Sequence, residues 1–287
     1  MPPIVVIARL TVQEASRRRL LIALLILTLI VVGFSAWGFH AITTIPNSNG
    51  VLPSPVEVTF ISSQLLIVIT FMYSGVLALS AAVVAGPLIS SEVESGLLLS
   101  ILARPVRRSE VVIGKWLGLA VLIAIYAGGS AFLEMTAVNV STGYLPPHPI
   151  ELTLYVCAEG LALLSLGLVL STRLSGITGG VIALVAWLMT WIAGVVGDIG
   201  VGLQNQAVET IGTVSRLILP TDGLWRGAVY AMEPDVVLAQ LRAAGPIGRA
   251  NPFSAVDPPP LPFLAWVVVW FATMLALCIW SFRTREI

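Results

Sequence analysis

Glu134 and Glu159 are the residues best placed to do chemistry, because each is a lone carboxylate inside a long apolar run. A charged side chain in hydrocarbon costs at least ~2.5–3.5 kcal/mol, so one kept there marks a transport route or a group neutralised by its surroundings. Two readings stay open. Either the pair lines a cavity opening to the outer side, or Glu134 reaches the head groups while Glu159 is protonated or hydrogen-bonded between helices. Other reactive constellations are not formed. Asp198, in GVVGDIG, has no second aspartate at depth with which to make a protease dyad. His40 and His148 fall in the outer regions, away from any buried serine, and Cys157 and Cys278 lack the spacing of metal ligands. A phosphate loop needs G-x-x-x-x-G-K followed by Ser or Thr, whereas here Trp116 follows Gly114-Lys115 and Ser109 holds the first glycine position. No cofactor, metal or catalytic residue is expected in this chain.

The elements that must position these groups are helices in a membrane. The chain has 287 residues, 57% of them hydrophobic, with 15 basic and 15 acidic groups, and its mean hydropathy is +0.97. That is far from a water-soluble composition. A spanning helix needs roughly 20 mostly apolar residues. Six stretches qualify or come close: Leu20–Phe39, Phe60–Ala85, Trp116–Ala137, Leu152–Leu170, Ile177–Ile199 and Phe263–Phe282. The expected fold is therefore an all-α polytopic membrane protein in one transmembrane domain. Basic residues near helix ends stay cytoplasmic. With both termini inside, 11 Lys and Arg lie inside and four outside, at Arg216, Arg226, Arg242 and Arg249. This places a multi-pass protein in the cell membrane, and the charge pattern gives no support to nucleic-acid binding.

Before the first span, Ile4, Ile7, Ala8, Thr11, Val12 and Ala15 recur at helical spacing, which predicts an interfacial helix over residues 2–19. The outer segment, residues 200–262, carries a helical apolar stripe at Leu203, Ala207, Ile211, Val214 and Ile218, expected to lie on or dip into the outer leaflet. Pro220 ends that helix. Thr221 or Asp222 is expected to cap the next one through Met232, and Pro234 with Asp235 restarts a third.

Residues 86–115, GPLISSEVESGLLLSILARPVRRSEVVIGK, are a charged cytoplasmic insert between the second and third spans. Ser91 followed by Glu94 reads as a capping box, so a helix is expected to begin at Glu92. Pro105 turns the chain at Arg104, and Ser109 is expected to cap the helix that becomes the third span.

The strings S-E-V-E-S-G, L-L-x-x-L-A-R-P-V-R-R-S-E and V-I-G-K-W-L-G-L-A, together with the N-terminal I-A-R-L-T-x-x-E-A-S-R-R-R, resemble the permeases of the ABC-2 exporter family. Within it the chain is similar to six-span permeases that include nitrous-oxide-reductase maturation transporters. The resemblance implies that Ser90–Leu102 is the coupling helix entering a groove on a cytosolic ATPase, with Ser91, Glu92, Glu94, Gly96, Arg104 and Pro105 as coupling residues. Leu97 departs from the threonine frequent after the glycine. The resemblance also implies a separate ABC ATPase subunit holding ATP and Mg, a second permease copy in a homodimer, and outward movement of a hydrophobic or amphipathic substrate. The alternatives are an ATP-independent secondary transporter or channel, which predicts more ionisable residues at mid-depth, and a membrane-embedded enzyme.

Overall fold

The computed structural model describes residues 2–16, 19–46, 50–94, 107–249 and 251–285. Among the described residues there is no strand. The helices in chain order are α1 (Pro3–Ser16), α2 (Arg19–Thr44), α3 (Pro55–Ala85), α4 (Pro87–Glu94), α5 (Arg108–Thr142), α6 (Pro149–Ser171), α7 (Gly176–Gly202), α8 (Gln206–Ile218), α9 (Thr221–Met232), α10 (Asp235–Ala243) and, after a 3₁₀ turn at Gly245–Arg249, α11 (Leu261–Arg283). Six are long and apolar enough to cross a membrane: α2, α3 together with the start of α4, α5, α6, α7 and α11.

Several helices outrun the apolar windows that announce them, because helices end where the backbone is interrupted and not where hydropathy falls. α3 starts at Pro55 under a capping box. The Ser54 hydroxyl accepts from the Glu57 N–H at 3.3 Å, and the Glu57 carboxylate accepts from the Ser54 N–H at 2.7 Å. α5 continues past Ala137, where the apolar run ends, and stops at Gly143, whose φ of +74° is the left-handed conformation a helix C-terminus favours.

The capping box expected at Ser91 does not start a helix. Gly86 keeps right-handed helical angles (φ −52°, ψ −54°) and donates to the Ala82 carbonyl at 3.2 Å, so α4 follows α3 almost without a break and Ser91 lies inside it. Its hydroxyl donates to the Pro87 carbonyl at 2.6 Å. Likewise Ser109 does not cap α5. Arg107 precedes the helix, and its N–H donates to the Glu110 carboxylate at 2.8 Å. The expected cap of α9 by Thr221 or Asp222 is also replaced, since the helix already includes both and follows Pro220.

α6 is the most buried span and packs against α3, α5, α7, α9 and α11, while α2 and α11 lie at the edges. Glycines allow the closest crossings, because removing Cβ lets helix backbones meet. A Cβ at Gly114 would fall 2.8 Å from Cβ of Ile7, so α1 seats on α5 with Thr11 and Ala15 buried. A Cβ at Gly176 would fall 2.7 Å from Cβ of Pro87, which brings the start of α7 against the α3–α4 junction. A Cβ at Gly197 would fall 2.6 Å from Cα of Gly212.

That last contact defines the outer segment. After the turn at 203–205, Asn205 caps α8 by accepting from the Ala207 and Val208 N–H groups, and α8 runs back antiparallel along α7. By the level of Gly194 it has retraced about 12 Å of α7 at 1.5 Å per residue. The apolar stripe Leu203, Ile211, Val214 and Ile218 faces away from the bundle. α9, almost wholly buried, then packs on α6, α7 and α3.

At the end of the bundle that carries the termini, basic side chains satisfy helix carbonyls that have no intrahelical partner. Arg108 donates to the carbonyls of Phe282, Arg283 and Arg285 at 2.9–3.0 Å, and Arg285 to that of Thr172 at 2.6 Å. Buried Lys115 donates to the Leu88 carbonyl at 2.9 Å, tying α4 to α5.

Candidate functional site

α3 carries Gln64, Thr70, Tyr73 and Ser74 where it meets three buried carboxylates from other elements. Glu159 of α6 is 2% exposed. Its carboxylate accepts from the Ser74 hydroxyl at 2.7 Å and from the Trp187 indole N–H of α7 at 2.9 Å. Glu159 therefore joins three helices through its hydrogen bonds. Glu134 of α5 is also 2% exposed. It faces a small cavity with Thr70, Tyr73 and Ser130, and Ser35 of α2 lies beside its carboxylate.

The third carboxylate, Glu233, follows α9 and accepts from the Gln64 amide at 3.3 Å. Burial pushes its carboxyl up to about 7, against the Gln64 hydrogen bond, which pulls it down. A carboxyl raised in the folded state costs nothing below its unfolded value of 4.5 and progressively destabilises the fold as pH rises to about 7. Glu233→Gln is therefore expected to remove part of the loss of thermal stability between those pH values. A pH profile of unfolding temperature unchanged in the variant would contradict this.

Asp198 is not alone, as its isolation in the sequence suggests. Arg216 of α8 donates to Asp198 at 2.9 Å and to Asp222 at 2.7 Å. Arg226 of α9 pairs with Asp198 and, at 3.3 Å, with Asp222. Two aspartates and two arginines thus close a neutral quartet linking α7, α8 and α9. Burial pushes the Asp222 carboxyl upward while the Arg216 guanidinium pulls it down, and burial lowers the Arg226 guanidinium to about 10. The quartet's chemistry is mechanical: it holds the returning hairpin against α7. Beside it, Phe71 of α3 is ringed by Trp187, Trp191, Trp225 and Phe253, with centroids 4.8–6.0 Å away.

Of the residues expected to meet an ATPase, Ser91 is exposed on α4, and Glu92 and Glu94 belong to the same helix. Gly96, Arg104 and Pro105 lie outside the described residues. Glu233, Gln64 and the arginines of the quartet escaped the sequence reading. A usable signal existed, since Asp222 and Arg226 stand four apart in a helix whose other residues are mostly apolar or small. Among the described residues no three His, Cys, Asp or Glu side chains gather as metal ligands.

The model of the family described as ABC-2 family transporter protein matches residues 5–287, nearly the whole chain. No curated protein sequence matches it.

Proposed function

This chain belongs to the family of ABC-2 transporter proteins, and on that footing we propose that it is the permease subunit of an ATP-driven exporter in the cell membrane, with both termini cytoplasmic. It works as a homodimer with a separate ABC ATPase subunit, which binds ATP and Mg. The cargo is hydrophobic or amphipathic and moves outward. Family membership over almost the full length carries the reading. It is supported by the way α3 passes through Gly86 into α4, so that a push on the insert after Glu94 acts on a spanning helix directly. The Lys115 bond to Leu88 passes the same push to α5, on which α1 is seated. In this scheme Ser91, Glu92, Glu94, Gly96, Arg104 and Pro105 form the coupling surface, Glu134 and Glu159 border the translocation route, and the hairpin from Leu203 to Met232 gates its outer end.

The test is copurification of the chain with ABC ATPases from the same genome. Glu92→Arg with Glu94→Arg is expected to lower the amount of bound ATPase about tenfold, the equivalent of 1.4 kcal/mol. The variant should still insert and elute as the wild type does in gel filtration. Undiminished binding would remove the coupling assignment.

A further inference from the structure

We infer that the cavity beside Glu134 is a binding site for one dehydrated monovalent cation of about sodium's size. This goes beyond the exporter reading and does not rest on it. The cavity measures about 10 Å³, roughly the space of a single water-sized occupant. Four elements enclose it or flank it: α3 with Thr70 and Tyr73, α5 with Ser130 and Glu134, α6 with Leu152 and Val156, and α2, whose Ser35 lies alongside Glu134.

The polar groups around it are hydroxyls and one carboxylate. The Thr70 hydroxyl donates to the Met232 sulfur at 3.4 Å, Tyr73 to the Thr28 carbonyl at 3.4 Å, Ser130 to the Ala127 carbonyl at 3.1 Å and Ser35 to the Val32 carbonyl at 3.0 Å. A hydroxyl has one proton and two lone pairs, so each of these groups keeps a lone pair with which to meet a cation. Glu134 adds two more acceptor oxygens, both buried, and the Ser35 hydroxyl is the group that approaches them. The oxygens of Thr70, Tyr73, Ser130 and Glu134 meet at a water-sized space otherwise walled by apolar side chains such as Leu66, Met135 and Val156, and there they take the place of hydrating water on a small hard cation. One carboxylate sets the charge at one, since a divalent ion would leave a net charge buried in hydrocarbon. Among the described residues no basic side chain lines the cavity, and Tyr73 is the titratable group that lines it beside Glu134. A proton therefore competes with the cation for the same carboxylate.

The test uses the full chain in lipid nanodiscs, without ATPase or ATP, so its outcome is independent of the transport reading. At pH 8, sodium chloride in tenfold excess over its Kd is expected to raise the unfolding temperature by about 3–6 °C relative to choline chloride. Potassium should do less, and at pH 5 the difference should vanish as protons take the site. Radiolabelled sodium should bind at one ion per chain and be lost in Glu134→Gln. If that variant does not fold, Thr70→Val, which keeps the charge and removes one ligand, is expected to weaken sodium binding about tenfold. Equal unfolding temperatures in sodium and choline at pH 8 would overturn the proposal. So would sodium binding that survives Glu134→Gln, or that is unchanged in Thr70→Val.

Discussion

Asp222→Ala is expected to destabilise the folded chain by about 3–5 kcal/mol, the cost of leaving a buried ion without its partner. Asp222 is 1% exposed and accepts from both Arg216 and Arg226. Its removal leaves two guanidiniums to share Asp198, with one positive charge in excess beside a largely buried Arg226. The loss should appear as a lower unfolding temperature of the purified chain. Asp222→Asn should reproduce most of it, because the amide preserves shape and abolishes charge. Asp222→Leu combined with Arg226→Met should recover much of the stability, since the Arg216–Asp198 pair is still balanced and the other charges are gone. If Asp222→Ala and the double variant were equally destabilised, shape and not charge would account for the role of Asp222.

Gly197→Leu is expected to cost about 3 kcal/mol, near the upper end of overpacking penalties. Even the first atom of the side chain would lie 2.6 Å from Cα of Gly212, and the obstruction is backbone, which no rotamer change relieves. α8 must then move off α7, carrying Arg216 away from Asp198 and loosening the already exposed 203–205 turn. Cleavage by added protease at that turn should accelerate together with the fall in unfolding temperature. Gly129→Leu is the control, since a Cβ there meets nothing within 4 Å. Equal effects at the two positions would show that packing of α8 on α7 is not the cause.

Both sites show where the sequence could be read and where it could not. The six spans were legible because crossing hydrocarbon demands a long apolar run, and that demand is local to each segment. Helix ends were less legible. Ser54-Pro55-Val56-Glu57 carries the same S-x-x-E pattern as Ser91–Glu94, yet only the first caps a helix. What separates them is the preceding backbone: Ser54 is extended, whereas Gly86 and Pro87 continue a helix that is already running. The candidate site was partly visible. Glu134 and Glu159 stand out as charges in apolar runs, but Ser74 and Trp187, which hold Glu159, lie 85 and 28 residues away.

The sequence by itself determined the membrane class, the number of spans, the family and the absence of a phosphate loop, because hydropathy and contiguous motifs are properties of neighbouring residues. Tertiary structure decided what the buried charges do. Asp198 became part of a neutral quartet only because a turn of three residues sends α8 back along α7, and that return depends on two glycines, Gly197 and Gly212, meeting across the helices. Glu159 found donors while Glu134 found a cavity, although both appear in the sequence as the same lone carboxylate. The difference lies in which side chains the neighbouring helices bring within about 3 Å, a range at which a hydrogen bond is made or lost.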